Sequence, residues 1–347
     1  MSEARATAAA AARTLGLIRF APAALLVAVV ILALFTGKYA ASPGDVLTVL
    51  ATKPFGLASG LPIATETAIW QVRLPRVLAG LAVGAALAAA GATYQGLFRN
   101  PLVSPDILGV SAGASLGAAL GIFLSLNVLV IQTLAFLGGL GAVAAVYAVG
   151  SAIRTRDPVL VLVLAGVAVG ALLGSALSLI KILADPYNQL PAITYWLLGS
   201  LASVTRGDLG SVLPAILIGL APLALLRWRM NLMTLGEEEA QALGVETRVL
   251  RPLLIAAATL MTAAAVSITG VIGWVGLIVP HVARMLVGPD FSKLLPASLM
   301  LGGGFLVAVD LVARSVATIE VPLGVLTAAL GAPFFLWLLA TARRGWS

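Results

Sequence analysis

The residues able to do chemistry in this chain are few, and their arrangement favours charge capture over catalysis. Among 347 residues there is no cysteine and one histidine, His281. That removes disulfides, thiolate chemistry and any histidine-clustered metal site built within the chain. His281 follows Pro280 in an apolar run, where a lone imidazole reads as a structural group bonded to backbone. Gly37-Lys38 is the only Gly-Lys pair and lacks the rest of a G-x-x-x-x-G-K-[ST] phosphate loop, so ATP is not hydrolysed here by that device. No apolar run carries a string of carboxylates or histidines suited to proton relay. No catalytic residue, metal ligand or cofactor site is expected.

Four groups of residues remain. In Arg73-Leu74-Pro75-Arg76, Pro75 suits the first turn of a helix. Two arginines there sit at the end where the helix dipole disfavours cations. Lipid phosphate or an acidic protein surface could offset that. Lys181 with Asp185, and Asp310 with Arg314, have the i, i+4 spacing that lets each pair neutralise itself. Thr234 to Gly244 is a polar island. Thr234 and Glu237 have capping-box spacing, Glu237, Glu238 and Glu239 suit a first turn, and Gly244 offers a left-handed stop. A helix this short needs something to pack against. It is either a solvated loop helix or a docking element for a soluble partner. Last, Gly166, Gly170, Gly174 and Ser178 recur every fourth residue and share one narrow helix face. That face fits tight helix packing, or the wall of a smooth path for a bulky solute.

The elements that position these groups follow from composition. The chain is 61% hydrophobic and 10% charged, against about 25% charged in soluble domains. It is therefore expected to be an all-α polytopic membrane protein, one transmembrane unit over residues 1–347. Apolar runs long enough to span fall near 18–37, 75–98, 107–126, 128–150, 159–183, 209–227, 252–271, 273–287, 294–316 and 321–341. The first, behind a basic head, is read as a retained helix and not a cleaved signal, because it is long enough to span. Residues 38–72, with Pro43, Pro54 and Pro62, read as a loop.

Ten spans put both termini on one side. That side then takes 14 of the 21 Lys and Arg, against seven opposite. The positive-inside rule makes it the cytoplasm, with residues 1–17 as a cytoplasmic tail and 230–248 as a cytoplasmic loop. The net charge of +7 reflects these loop arginines and predicts no nucleic-acid partner. A faint internal echo, Gly96-Leu97-Phe98-Arg99-Asn100-Pro101 against Gly276-Leu277-Ile278-Val279-Pro280, lies in helix sets that run in opposite directions.

Several motifs in one order carry a resemblance. They are Arg73-Leu74-Pro75-Arg76, Asn100-Pro101-Leu102 with Pro105-Asp106-Ile107-Leu108-Gly109, Gly273-Trp274-Val275-Gly276-Leu277 leading into Pro280-His281-Val282-Ala283-Arg284, Asp310 to Arg314, Glu320-Val321-Pro322-Leu323-Gly324, and Gly331-Ala332-Pro333-Phe334. From about residue 40 onward the chain resembles the permease subunits of ATP-driven importers for iron-siderophores, haem and vitamin B12. Trp274 stands where phenylalanine is usual, and Phe291-Ser292-Lys293 replaces a stretch that more often contains His or Arg.

The resemblance implies an inverted-repeat permease of ten helices, working as a homodimer in the cytoplasmic membrane. Two ATP-binding-cassette subunits would dock on the loop between helices six and seven, engaging Glu237, Glu238, Ala240, Leu243 and Gly244. A periplasmic or surface solute-binding protein would present acidic residues to Arg73, Arg76 and Arg314. The fifth helix, with Gly166, Gly170, Gly174 and Ser178, would line the path. The expected activity is import of an iron chelate, siderophore or haem, by alternating access, with vitamin B12 as the alternative cargo. A secondary transporter would instead depend on sodium or pH and need no partner chain. An intramembrane enzyme would need a nucleophile–base or metal cluster that this sequence does not suggest.

Overall fold

The computed structural model describes residues 21–153, 158–235 and 237–342. All regular structure among them is helical. Ten helices account for the ten apolar runs. Six are long and apolar enough to cross a membrane, and four are shorter. In chain order they are α1 (Ala21–Phe35), α4 (Leu74–Leu97), α5 (Val110–Phe123), α6 (Val128–Ala152), α7 (Pro158–Leu183), α9 (Arg206–Leu225), α12 (Thr247–Thr269), α13 (Val275–Val287), α14 (Phe291–Ser315) and α15 (Leu323–Ala342). The others are connectors: α2 (Pro43–Thr52), α3 (Ile63–Thr67), α8 (Gln189–Leu198), α10 (Arg227–Met233) and α11 (Glu237–Ala242).

Two sets of four helices share one pattern, a short second helix among three long ones. The set α4 to α7 has 24, 14, 25 and 26 residues, and α12 to α15 has 23, 13, 25 and 20. The second helix of each set is too short to cross a membrane, and a left-handed residue precedes it, Gly109 (φ 79) before α5 and Trp274 (φ 71) before α13. Helix α4 runs toward the end of the bundle that carries α11, and α12 runs away from it. Each packs on the other and on the other set's third helix, α4 on α14 and α12 on α6. This is the inverted repeat that the weak sequence echo hinted at.

Helices α4 and α12 form the centre: 78% and 67% of their most apolar windows are buried, against 17% for α7. Close approach makes this possible. A Cβ on Gly91 would overlap the backbone of Gly276 in α13, and one on Gly84 would overlap the backbone of Gly302 in α14. Small residues let backbones meet where no hydrophobic driving force between helices exists.

Four local expectations are corrected. Residues 38–72 are not a loop throughout. Ser42 and Asp45 close a capping box that starts α2, and a continuous helix of 35 residues runs from Ile63 to Leu97. Pro75 lies inside that helix, behind a wide turn over Ala68–Arg73. The wide turn absorbs the clash between a proline ring and the carbonyl four residues earlier. Arg73 and Arg76 therefore sit in mid-helix, and the dipole argument about a helix start does not apply to them. Helix α8 went unread because Pro186, Asn188 and Pro191 mark a loop in sequence. It holds because Ile193 is buried and Gln189 Nε2 donates to Phe123 O, 2.7 Å away, at the end of α5. Last, Lys181 forms no ion pair with Asp185, whose Oδ2 instead accepts from Asn188 N at 2.7 Å.

Candidate functional site

Three places hold the residues singled out by sequence. The first is a buried ionic cluster at the α2 end of the bundle. Arg73, Arg76 and Arg314 are only 4%, 7% and 6% exposed, so all three are largely buried. Arg76 lies between two carboxylates. Its Nε reaches both oxygens of Asp310 at 2.9 and 3.0 Å, and its Nη1 and Nη2 bind Glu320 at 3.0 and 2.8 Å. The guanidinium fork suits such double two-point contacts. Arg314 is 3.7 Å from Asp310, so the expected i, i+4 pair is the weaker of that carboxylate's two. Instead Arg314 Nη2 donates to Ala33 O at 2.6 Å, and Arg73 donates to Leu34 O at 3.3 Å and to Tyr39 O. Two cations thus satisfy carbonyls at the C-terminal end of α1, as the helix dipole favours.

Gly37 lies close against this group: a Cβ there would come within 2.7 Å of Arg73 Nε, so the guanidinium would have to shift. The Arg76 guanidinium holds the Glu320 carboxyl below its ordinary range, against the upward push of burial. Above the cluster, Lys38 and Arg314 line an open depression of about 670 Å³. Sequence reasoning found the three arginines but missed that Glu320, quoted only as part of a motif, is a partner.

The second place is the small-residue face of α7, and the structure divides it. Gly166 is buried, and its Cβ would overlap Ile107 O in the turn before α5. Gly170 and Gly174 meet nothing within 4 Å of an added Cβ. Ser178 is exposed and its hydroxyl donates to Gly174 O at 2.9 Å. Gly166 is therefore packing, and the stretch from Gly170 to Ser178 is an open face within this chain.

The third place is the connection from α9 to α12. The expected capping box is absent, because Thr234 ends α10 and donates its hydroxyl to Asn231 O at 2.7 Å. Glu237 turns instead to α12, where Arg251 Nη1 lies 3.0 Å from its Oε2. Ala240 is fully buried, whereas Glu238, Leu243 and Gly244 are exposed. Gly244 (φ 81) is the left-handed stop that the sequence predicts. Leu235, Leu243 and Val249 expose more than half of their surface beside it. The base of the connection is fixed by Asn231, whose Nδ2 donates to Asp290 at 2.9 Å and whose Oδ1 accepts from Phe291 N at 2.7 Å. Those bonds hold the Asp290 carboxyl below its ordinary range, the Asn231 amide contributing most.

His281 stands apart from all three. Its buried Nδ1 has no hydrogen-bond partner among the described residues, so the expected bond to backbone is not made there through that atom, and the ring meets Phe334 edge-on. Arg284 beside it donates to Gln95 Oε1 at 3.1 Å. Trp274, the departure noted in sequence, faces Gly331, where an added Cβ would come within 2.6 Å of the indole.

Ten apolar helices, eight of them in two inverted sets of four, with an open glycine face and a polar connection at one end, make the architecture of a multi-pass membrane permease. The chain belongs to the FecCD transport family, whose model matches residues 25–341. It is 44% identical over 298 residues to the cobalamin import system permease protein BtuC of Halobacterium salinarum, covering 86% of this chain and 79% of that one. It is 39% identical over 321 residues to the molybdate import system permease protein MolB of Haemophilus influenzae, covering 92% and 94%. A solved structure described as an inward-facing conformation of a metal-chelate type ABC transporter superposes with a TM-score of 0.82 at 37% identity, covering 93% of this chain and 99% of that one. The protein is the permease subunit of an ABC importer.

Proposed function

We propose that this permease works as a homodimer in the cytoplasmic membrane, with both termini in the cytoplasm, and imports a bulky metal chelate. The observation that carries the reading is the open face of α7 at Gly170 and Gly174. A long apolar helix with so little of itself buried in its own chain suits a two-fold axis, where two such faces form a smooth path. An iron chelate, siderophore or haem, is the first candidate cargo. A cobalamin is the second, favoured by the Halobacterium relative.

ATP would be hydrolysed by two separate cassette subunits seated on Glu238, Leu243 and Gly244, with Glu237 and Ala240 supporting that surface from beneath. A solute-binding protein would dock at the opposite end. There Arg73, Arg76 and Arg314 fix α1, α4 and α14 beneath the surface, and the depression lined by Lys38 and Arg314 is the seat for an acidic residue. Alternating access then exposes the α7 face to each end in turn.

The test is reconstitution with the cassette subunits and the cognate binding protein. Ferric siderophore, haem, cobalamin and molybdate are each offered to the binding protein, and uptake and ATP hydrolysis are measured. Uptake of one bound chelate that depends on ATP and on both partners supports the reading. Concentrative uptake driven by an ion gradient, with this chain alone in liposomes, overturns it.

A further inference from the structure

The connection that carries α11 is tied to α12 by side chains as well as by the chain. Glu237 accepts from Arg251 Nη1 at 3.0 Å through one oxygen and from Thr247 Oγ1 at 3.2 Å through the other. Gln241 Nε2 donates to the same Thr247 hydroxyl at 2.9 Å. Two successive turns of α11 are thus fastened to the first turns of α12, with Ala240 and Val245 buried between them. A helix of six residues has no stability of its own in water. Its orientation is set by these contacts.

The far end of α12 is held as firmly. Thr269 O accepts from Ser200 N at 2.7 Å, in the turn after α8. Gly270 (φ 71) lies so close to Trp196 O that a Cβ would overlap it. Gly199 O in turn accepts from Leu323 N at 2.9 Å, at the start of α15. Between its ends α12 packs against α4, α5, α6 and α9. A 23-residue helix is about 35 Å long, so α12 reaches from the connection to the turn after α8, with Pro252 beside Arg251 in its second turn.

We propose that α12 is the rod through which the α10–α11 connection acts on the opposite end of the bundle, and that Arg251 is the positioning residue that pins the connection to the rod. The proposal rests on the reading of that connection as the seat of the cassette subunits. Arg251 is half-buried behind α11 and takes no part in the seating surface itself. Without the pin, α11 would rotate on α12 instead of carrying it. Docking would survive, and transmission to the far end would not.

The absence of cysteine allows a direct test. A nitroxide on Ala202→Cys, an exposed position in the turn after α8, reports the far end in the permease–cassette complex with and without MgATP. The parent complex is expected to change its nitroxide spectrum on adding MgATP. Arg251→Gln is expected to keep the cassette subunit through purification and to keep hydrolysing ATP, but to reduce the population shift roughly fivefold or more, the lower end of typical coupling between sites. The exchange Glu237→Arg with Arg251→Glu is expected to restore it. Arg251→Lys, which keeps the charge on a shorter and differently shaped group, is expected to fall between and serves if the glutamine variant does not assemble. An undiminished shift in Arg251→Gln or Arg251→Lys with the cassette subunit bound overturns the proposal. So does loss of the cassette subunit from an otherwise intact dimer, because Arg251 then serves docking. The docking reading fails separately, if Leu243→Asp leaves both co-purification and the MgATP response unchanged.

Discussion

Arg76 and Asp310 meet across 234 residues of sequence, the guanidinium Nε held 2.9 and 3.0 Å from the two carboxylate oxygens, with both side chains buried. Such a pair is dear to break and of little net value against an apolar replacement. Arg76→Ala leaves Asp310 and Glu320 without their main partner and is expected to cost about 3–5 kcal/mol. Asp310→Ala should cost less, because Arg76 keeps Glu320. The double variant should be less destabilised than the two single changes added together, since residues in contact couple. Thermal midpoints of the purified permease measure this cycle. Additive costs would mean that the pair is not an energetic unit.

Glu320 gives the cluster a pH dependence. Its folded carboxyl titrates below the ordinary range because of Arg76, so between the folded and unfolded values the unfolded chain binds the extra proton. The stabilisation is complete above the ordinary glutamate value of about 4.3 and declines as pH falls through the lower folded value. The difference in midpoint between the parent and Glu320→Gln should therefore be greatest at neutral pH and shrink on acidification. A difference that stays level from neutral to strongly acid pH would remove Glu320 from the cluster's energetics.

The α7 face separates packing from path. Gly166→Ala places a methyl group on Ile107 O and is expected to destabilise the fold by about 1–3 kcal/mol, the usual cost of overpacking. Gly174→Ala meets nothing and should leave stability unchanged or raise it slightly, by up to about 1 kcal/mol from helix propensity. Gly170→Leu and Gly174→Leu should leave the monomer folded yet impair transport. Blocked uptake from a normal dimer assigns the face to the path, and failure to dimerise assigns it to the contact between copies. Full activity with both leucines present excludes each.

At the other end, the exposed Leu243 is expected to anchor the cassette subunit. Leu243→Asp puts a charge into a surface that must become dry on docking, where burying an unpaired charge is costly and a few well-buried residues carry most of the binding energy. Co-purification of the cassette subunit should fall at least about tenfold, equivalent to about 1.4 kcal/mol, with the dimer profile unchanged. Glu238→Ala, at a wet rim, should change the salt dependence of association more than its strength. A Leu243→Asp complex as stable as the parent would move the docking surface elsewhere.

Length and hydropathy alone determined that this chain is an all-helical membrane bundle with ten apolar helices, six of them long enough to cross by themselves. A run of about twenty apolar residues has few alternatives once its backbone must satisfy itself inside lipid. The order of short motifs from Arg73 to Phe334 carried the family, because each sits at a turn or crossing whose geometry tolerates few residues. Gly109 and Trp274 are examples, both left-handed in the structure. Local sequence could not show which charge meets which. Spacing offered Arg314 to Asp310 and Thr234 to Glu237, both within one turn. Packing added Arg76 as the stronger partner of Asp310 and gave Glu237 to Arg251, because buried ionic groups must find partners wherever the helix crossings bring them. The glycine stripe of α7 was legible as a stripe, but only the neighbouring turn at Ile107 decided that Gly166 packs while Gly170 and Gly174 stand open. Sequence periodicity identifies a face, and the element placed against that face decides its use.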